Sequence, residues 1–255
     1  MENSLDPKQR FSGRASSYAR ARPGYPLTLF DHLFAVGALR KGCEVADLGS
    51  GTGILTELLL KQGLSVFAVE PNSEMREVAE SRLSAMIGFH SVAGSAERTT
   101  LAERSVDAVT AGQAFHWFDI EPTRAEIGRI LRPGGQVIMV WNNREKESDP
   151  FNNAYSLLVD RYARGKDEID SKREDPQEHF YPSAYHHARF HHSREHDLDS
   201  LECLITSASY MPKEGDPGFK PMIVELRELF KEFQVDGKVV IRYVTDCYHG
   251  GLDEA

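Results

Sequence analysis

Short apolar runs recur along the first 141 residues, and each is followed by a polar turn and then by apolar positions at helical spacing. Val45–Leu48 (broken by Asp47), Ser65–Val69, Phe89–Ala93, Val106–Ala111 and Gln136–Trp141 read as five short buried strands. Ile54–Leu60 clusters its apolar residues on one helical face, as do Met75, Val78, Ala79 and Leu83. An amphipathic helix is expected over Leu27–Val36, and Gly37 and Gly42 mark turns before the first strand. Asn72 or Ser73 suits the N-cap of the helix carrying Met75. Asp119 and Pro122 suit the first turn of another, which runs to Leu131 before Arg132-Pro133-Gly134-Gly135 stops it.

Beyond Trp141 the pattern loosens. Phe151–Ala163, Leu198–Ala208 and Pro217–Phe233 read as helices, and Lys238–Thr245 as a closing strand entered through Asp236-Gly237. Residues 164–182 are charged, contain Pro176 and Pro182, and suggest a mobile surface insertion. His179, His186, His187, His191, His192 and His196 follow. Neighbouring histidines on a strand point to opposite faces and show no ligand spacing, so an edge strand titrating below neutral pH is expected, and no metal.

The richest stretch is Glu44-Val45-Ala46-Asp47-Leu48-Gly49-Ser50-Gly51-Thr52-Gly53. It is a strand, a glycine turn and a helix start. The third glycine comes one residue too early for a dinucleotide fingerprint, and no Gly-Lys-Ser/Thr follows for a phosphate loop. Asp47, two residues before the first glycine, suits a ligand presenting an ammonium group and would repel a pyrophosphate. Seventeen residues past Gly53, the second strand ends in Glu70, where a carboxylate accepts hydrogen bonds from both hydroxyls of a ribose.

Together Asp47-x-Gly49-x-Gly51-x-Gly53 and Glu70 resemble the class I S-adenosylmethionine-dependent methyltransferases. The likeness runs from about residue 11 to 143, including the Arg-Pro-Gly-Gly turn. It is nearest the small-molecule branch of trans-aconitate and ubiquinone/menaquinone methyltransferases. It implies an α/β, Rossmann-like, doubly wound sheet of seven strands, mostly parallel, with helices on both faces. The histidine tract and the closing strand would supply an antiparallel C-terminal hairpin. One domain is expected over 1–255. Residues 1–36 form a cofactor-covering arm and helix, 37–143 the cofactor-binding core, 144–215 an acceptor-side insertion and 216–255 the closing helix and strand.

The same resemblance assigns residues to S-adenosylmethionine. The glycine turn contributes Asp47, Gly49, Ser50, Gly51 and Gly53, and the second strand end contributes Glu70 and Pro71. Met75 lies near the adenosine, Ser95, Ala96 and Glu97 near the adenine edge, and Gln113 near the cofactor. Tyr18, Arg22 and Tyr25 belong to a Tyr…Arg-Pro-x-Tyr-Pro arm that closes the site, with Arg22 meeting the methionine carboxylate. The fourth strand ends in Gln113-Ala114-Phe115-His116-Trp117, where donor and acceptor should meet. Phe115, His116, Trp117, Tyr25 and Arg144 are therefore acceptor-binding candidates, with Asn142 and Asn143 beside them. At least one of the aromatic side chains is expected to pack under the next helix. His116 is the candidate general base, or a wall residue orienting the acceptor.

Charge then narrows the partners. Thirty Lys and Arg against 39 Asp and Glu give a net charge of −9, which disfavours a nucleic-acid binder. No apolar stretch approaches the roughly 20 residues that span a bilayer, the first residues lack a signal-peptide core, and the three cysteines show no disulfide or metal spacing. A cytoplasmic protein acting on a small molecule is expected, as a monomer or a homodimer. A carboxylate acceptor would need no base, and an arginine such as Arg22 or Arg144 would then matter more than His116. Two rivals stand: a protein that binds the same cofactor without turnover, and a nicotinamide-dependent oxidoreductase.

Overall fold

The computed structural model describes residues 22–164, 178, 180, 181, 185–208 and 210–252. Tyr18, His179, Ser209 and most of residues 164–182 lie outside them. Seven strands form one sheet: β1 (Glu44–Leu48), β2 (Ser65–Val69), β3 (Phe89–Val92), β4 (Val106–Gly112), β5 (Leu131–Arg144), β6 (His186–His196) and β7 (Val239–Gly250). Their order is β3-β2-β1-β4-β5-β7-β6. The pairs from β3 to β5 are parallel, and β7 runs antiparallel to both β5 and β6. This is the doubly wound sheet with an antiparallel C-terminal pair that the sequence implies. No described helix is long and apolar enough to cross a membrane.

The helices are α1 (Leu27–Ala35), α2 (Ile54–Lys61), α3 (Ser73–Leu83), α4 (Ile120–Ile130), α5 (Pro150–Tyr162), α6 (Leu198–Ser207) and α7 (Phe219–Phe233). Successive strand residues face opposite ways, so the sheet feeds two cores. Val45, Val66, Ala108, Ile138 and Val140 pack with Leu29, Phe30 and Leu33 of α1 and Leu55 and Leu59 of α2. Ala46, Val109, Val137, Met139 and Trp141 pack with Ile127 and Ile130 of α4 on the other face. A third cluster joins α5, α6 and α7 to Val239, Ile241 and Tyr243 of β7. That cluster stands over one end of the sheet and walls the cavity described below.

The longest strands exceed their apolar runs. Val106 pairs with Leu131 but Ala108 pairs with Gln136, so Arg132–Gly135 bulges out of β5 instead of preceding it. Arg132 of that bulge binds the Glu44 and Asp107 carboxylates, at 2.6 and 3.0 Å. At the far end β5 continues through Arg144, opposite Tyr243, while β7 runs the other way to Gly250, opposite Val137. Their ends are polar, and side chains secure the ladder: Thr245 donates to Asn142 at 2.5 Å and Asn143 donates to Asp246 at 2.8 Å. The histidine tract is the edge strand β6. His187 stacks on Tyr248 with ring centroids 4.2 Å apart and touches Asp246, while His186 stacks on His249.

Candidate active site

The strand order reverses at β1, and a crevice opens there at the carboxyl ends of β1 and β4. It holds a cavity of about 680 Å³. Gly49, Gly51 and Gly53 all adopt positive φ, at 63°, 57° and 80°. What surrounds them differs. A Cβ on Gly53 would come within 2.5 Å of Leu83, and one on Gly49 within 2.8 Å of Ala114, whereas Gly51 faces open space. Gly49 and Gly53 thus let the turn pack, and Gly51 bares backbone to a ligand. Gly53 does not line the cavity. It packs against Leu83 and Ala79 of α3.

Two acids sit behind the turn. Asp47 is 1% exposed, and its carboxylate accepts from the Thr56 hydroxyl at 2.6 Å and the Thr110 hydroxyl at 2.9 Å. Burial raises its pKa to about 6, with the nearby Glu70 adding to the rise and the two hydroxyls opposing it. Glu70 accepts from the Gly51 N–H through one oxygen and the Asn72 N–H through the other, both at 2.9 Å. Burial raises its pKa too, against those N–H groups and the charge of Arg76. Asn72 also caps α3 by accepting from the Met75 N–H at 3.0 Å.

The other expected residues distribute unevenly. Arg22, Tyr25, Ser50, Pro71, Met75, Ser95, Ala96, Glu97, Gln113, Trp117, Asn142, Asn143 and Arg144 line the same cavity as Asp47, Gly49, Gly51 and Glu70. Gln113 holds a left-handed φ of 57° and donates through its side-chain amide to the Asn142 carbonyl at 2.8 Å. Such strain is uncommon outside glycine and accumulates at ligand sites. The arm before α1 is tied down on β5 and β6, since Asn142 donates to the Gly24 carbonyl and Arg194 to that of Arg22.

Phe115 and His116 do not line the cavity. Phe115 is 1% exposed and meets Phe118 and Phe180 edge-on in the core. His116 is buried with its ring 4.7 Å from that of Trp117. The cause is a single 3₁₀ turn at Phe115–Trp117, which turns these two side chains away while Trp117 and Phe118 reach the cavity. Phe115 and His116 thus stand behind the described lining, next to Trp117, which is part of it.

Sequence reasoning missed Thr56 and Thr110, which bind Asp47, and placed the far wall of the cavity only as the acceptor-side stretch 144–215, without its individual residues. That wall includes Tyr155 and Val159 of α5, Leu204 and Ile205 of α6, Met211 and Tyr243. The Arg144 guanidinium lies over the Tyr155 ring, 5.0 Å from its centroid. Burial pushes the Tyr243 hydroxyl up to about 12, and that of Tyr155 well up, against the charges of Arg144 and Arg22.

Comparison with known proteins agrees with this geometry. Residues 46–139 match the family model described as a methyltransferase domain. An uncharacterised methyltransferase of Mycobacterium tuberculosis is 42% identical over 143 residues, 55% of this chain and 55% of that protein. The match thus spans about half of that relative's length. A methyltransferase-like protein of Schizosaccharomyces pombe is 28% identical over 91% of this chain and 89% of its own. A solved structure from Anaeromyxobacter dehalogenans, described as a type II methyltransferase, superposes with a TM-score of 0.65 at 21% identity, covering 91% of this chain and 98% of that one.

Proposed function

We propose that this protein transfers a methyl group from S-adenosylmethionine to a small molecule, since residues 46–139 match the methyltransferase-domain model and the fold is that of a methyltransferase. One observation carries the reading. A single cavity is walled at one end by the glycine turn with Asp47 and Glu70, and at the other by aromatic and aliphatic side chains of α5, α6 and β7.

The residues fit the cofactor. The carboxylates lining the cavity are Asp47 and Glu70 beside the glycine turn and Glu97 in the turn after β3. That charge suits a ligand carrying ammonium and sulfonium groups and opposes a pyrophosphate, which argues against a nicotinamide dinucleotide. Glu70 would take the ribose hydroxyls, since each of its oxygens accepts one N–H and keeps a lone pair. Ser95, Ala96 and Glu97 would border the adenine, and Arg22 would meet the methionine carboxylate. The bare backbone at Gly51 lets the ligand approach.

When bound, the cofactor supplies an activated methyl group on sulfur. The chain then has little chemistry to perform. Its walls would orient the acceptor toward that methyl group and exclude water. Tyr25, Trp117 and the wall of Tyr155, Val159 and Ile205 do this, and no catalytic dyad is required. A cavity of about 680 Å³ lies within the range of small-molecule sites.

Methyl-tritiated S-adenosylmethionine, incubated with the protein and a cell extract, tests the reading. Label should appear in the low-molecular-weight fraction. Label in protein or RNA would contradict a small-molecule acceptor, and cofactor binding without labelled product would favour a binding protein.

A further inference from the structure

The cavity wall at the end of β5 is cationic and offers no imidazole base. Arg144 and Lys146 stand there, and none of the described residues lining the cavity is a histidine. Two buried polar atoms there have no partner among the described residues: Nη1 of Arg144 and the hydroxyl of Tyr243, a residue 3% exposed. A buried donor left unpaired costs about 1–3 kcal/mol, more for a charged group. Such groups persist where a ligand satisfies them. Arg144 is held by its stacking on Tyr155, and Val159, Ile205 and Met211 make the surroundings apolar.

A hydroxyl acceptor must lose its proton, and an amine arrives protonated at neutral pH, so each calls for a base. A carboxylate arrives with its lone pairs free. We propose that the acceptor is a carboxylate with an apolar body, held through one oxygen by the Arg144 guanidinium and the Tyr243 hydroxyl, and methylated on the other. This rests on the methyltransferase reading above. The free oxygen forms the new O–CH₃ bond as the S–CH₃ bond breaks, and that bonding pair remains on sulfur. The products are a neutral methyl ester and a neutral thioether, and no proton moves. Loss of charge on esterification weakens the grip of Arg144 and favours release.

The test uses the whole chain with methyl-tritiated S-adenosylmethionine and matched probes: hexanoate and phenylacetate, their amides, and hexanol and phenylethanol. The expected result is label in the acids alone, released as volatile methanol by alkali. Arg144→Gln and Tyr243→Phe should each raise KM for the acids about tenfold or more, while both keep the thermal shift with S-adenosylhomocysteine. That retained shift shows that the variants fold and that the cofactor site is intact. Labelled alcohols or amides, unlabelled acids, an unchanged KM in both variants, or loss of S-adenosylhomocysteine binding in Arg144→Gln would each overturn the proposal. Failure of the wild-type protein to bind S-adenosylhomocysteine would instead overturn the methyltransferase reading beneath it.

Discussion

The Glu70 carboxylate accepts the Gly51 N–H at 2.9 Å, tying the tip of β2 to the one glycine of the turn that faces open space. The acid read as the ribose acceptor therefore also shapes the backbone on which the ligand would rest. Glu70→Ala removes both tasks. It should weaken S-adenosylhomocysteine binding by about 1–3 kcal/mol, roughly five- to a hundred-and-fiftyfold. Glu70→Gln, which keeps an acceptor oxygen, should lose less. Calorimetric titration of both variants checks the order, and equal affinities in all three proteins would remove Glu70 from the site.

The glycines of the turn should separate by role. Alanine at position 51 meets only the cost of a left-handed backbone, about 1–2 kcal/mol, but intrudes on the ligand. Alanine at position 53 meets that cost and a Cβ 2.5 Å from Leu83. Gly53→Ala should therefore unfold at lower denaturant than Gly51→Ala, while Gly51→Ala should show the larger loss of cofactor affinity in its folded state. Urea melts and binding isotherms on both variants test this.

Asp47 gives stability an unusual dependence on pH. Its folded pKa of about 6 lies above the ordinary carboxylate value, so between about pH 4 and 6 the folded state holds a proton that the unfolded chain has lost. Stability from this group therefore falls as pH rises through that window, by about 3 kcal/mol in all. Asp47→Asn keeps an acceptor for Thr110 and removes the titration. Relative to wild type, it should gain stability progressively from pH 4 to 6, as followed by urea midpoints. A constant difference across that range would contradict the burial argument.

His196 and His249 act with the opposite sign. Burial lowers both to about 4, helped at His196 by Arg194 and at His249 by His186 and His32. Their depressed folded values mean that stability is present above about pH 6.5 and is lost as pH falls toward 4. His249→Phe should flatten the acid limb of the stability curve. A limb of unchanged steepness would show that His249 already carries its proton when folded.

Thr110 is the cheapest probe of the missed residues. Its hydroxyl donates to Asp47 inside the sheet, at 2.9 Å. Thr110→Val preserves shape and leaves one carboxylate oxygen without its partner, so it should cost about 1–3 kcal/mol at neutral pH. Unfolding midpoints at neutral and acid pH would measure it, with a smaller loss expected once Asp47 is protonated.

The sheet and the glycine turn were legible because they obey local rules. Apolar runs mark β1 to β4, and Asp47-x-Gly49-x-Gly51-x-Gly53 can serve only where backbone must turn and be approached. The extensions of β5 past Trp141 and of β7 past Thr245 were not legible, because Asn142, Asn143 and Asp246 are polar and that ladder is held by side-chain hydrogen bonds rather than apolar burial. The position of His116 was not legible for a related reason: a 3₁₀ turn sets which of four neighbouring side chains line the cavity, and sequence spacing does not encode that choice. Tyr155 and Tyr243 were hidden in plain amphipathic patterns, and only the fold puts them beside Arg144.

The central claim is that the cavity at the β1 and β4 ends takes S-adenosylmethionine and not a dinucleotide. Thermal unfolding with S-adenosylhomocysteine, with NADH as the control, tests it most directly. At about 100 times Kd, binding to the native state adds roughly 2.7 kcal/mol, which for a chain of this size raises Tm by about 5–10 °C. The account predicts that shift with S-adenosylhomocysteine, its reduction in Glu70→Ala, and none with NADH. No shift with S-adenosylhomocysteine, or a larger one with NADH, would contradict it.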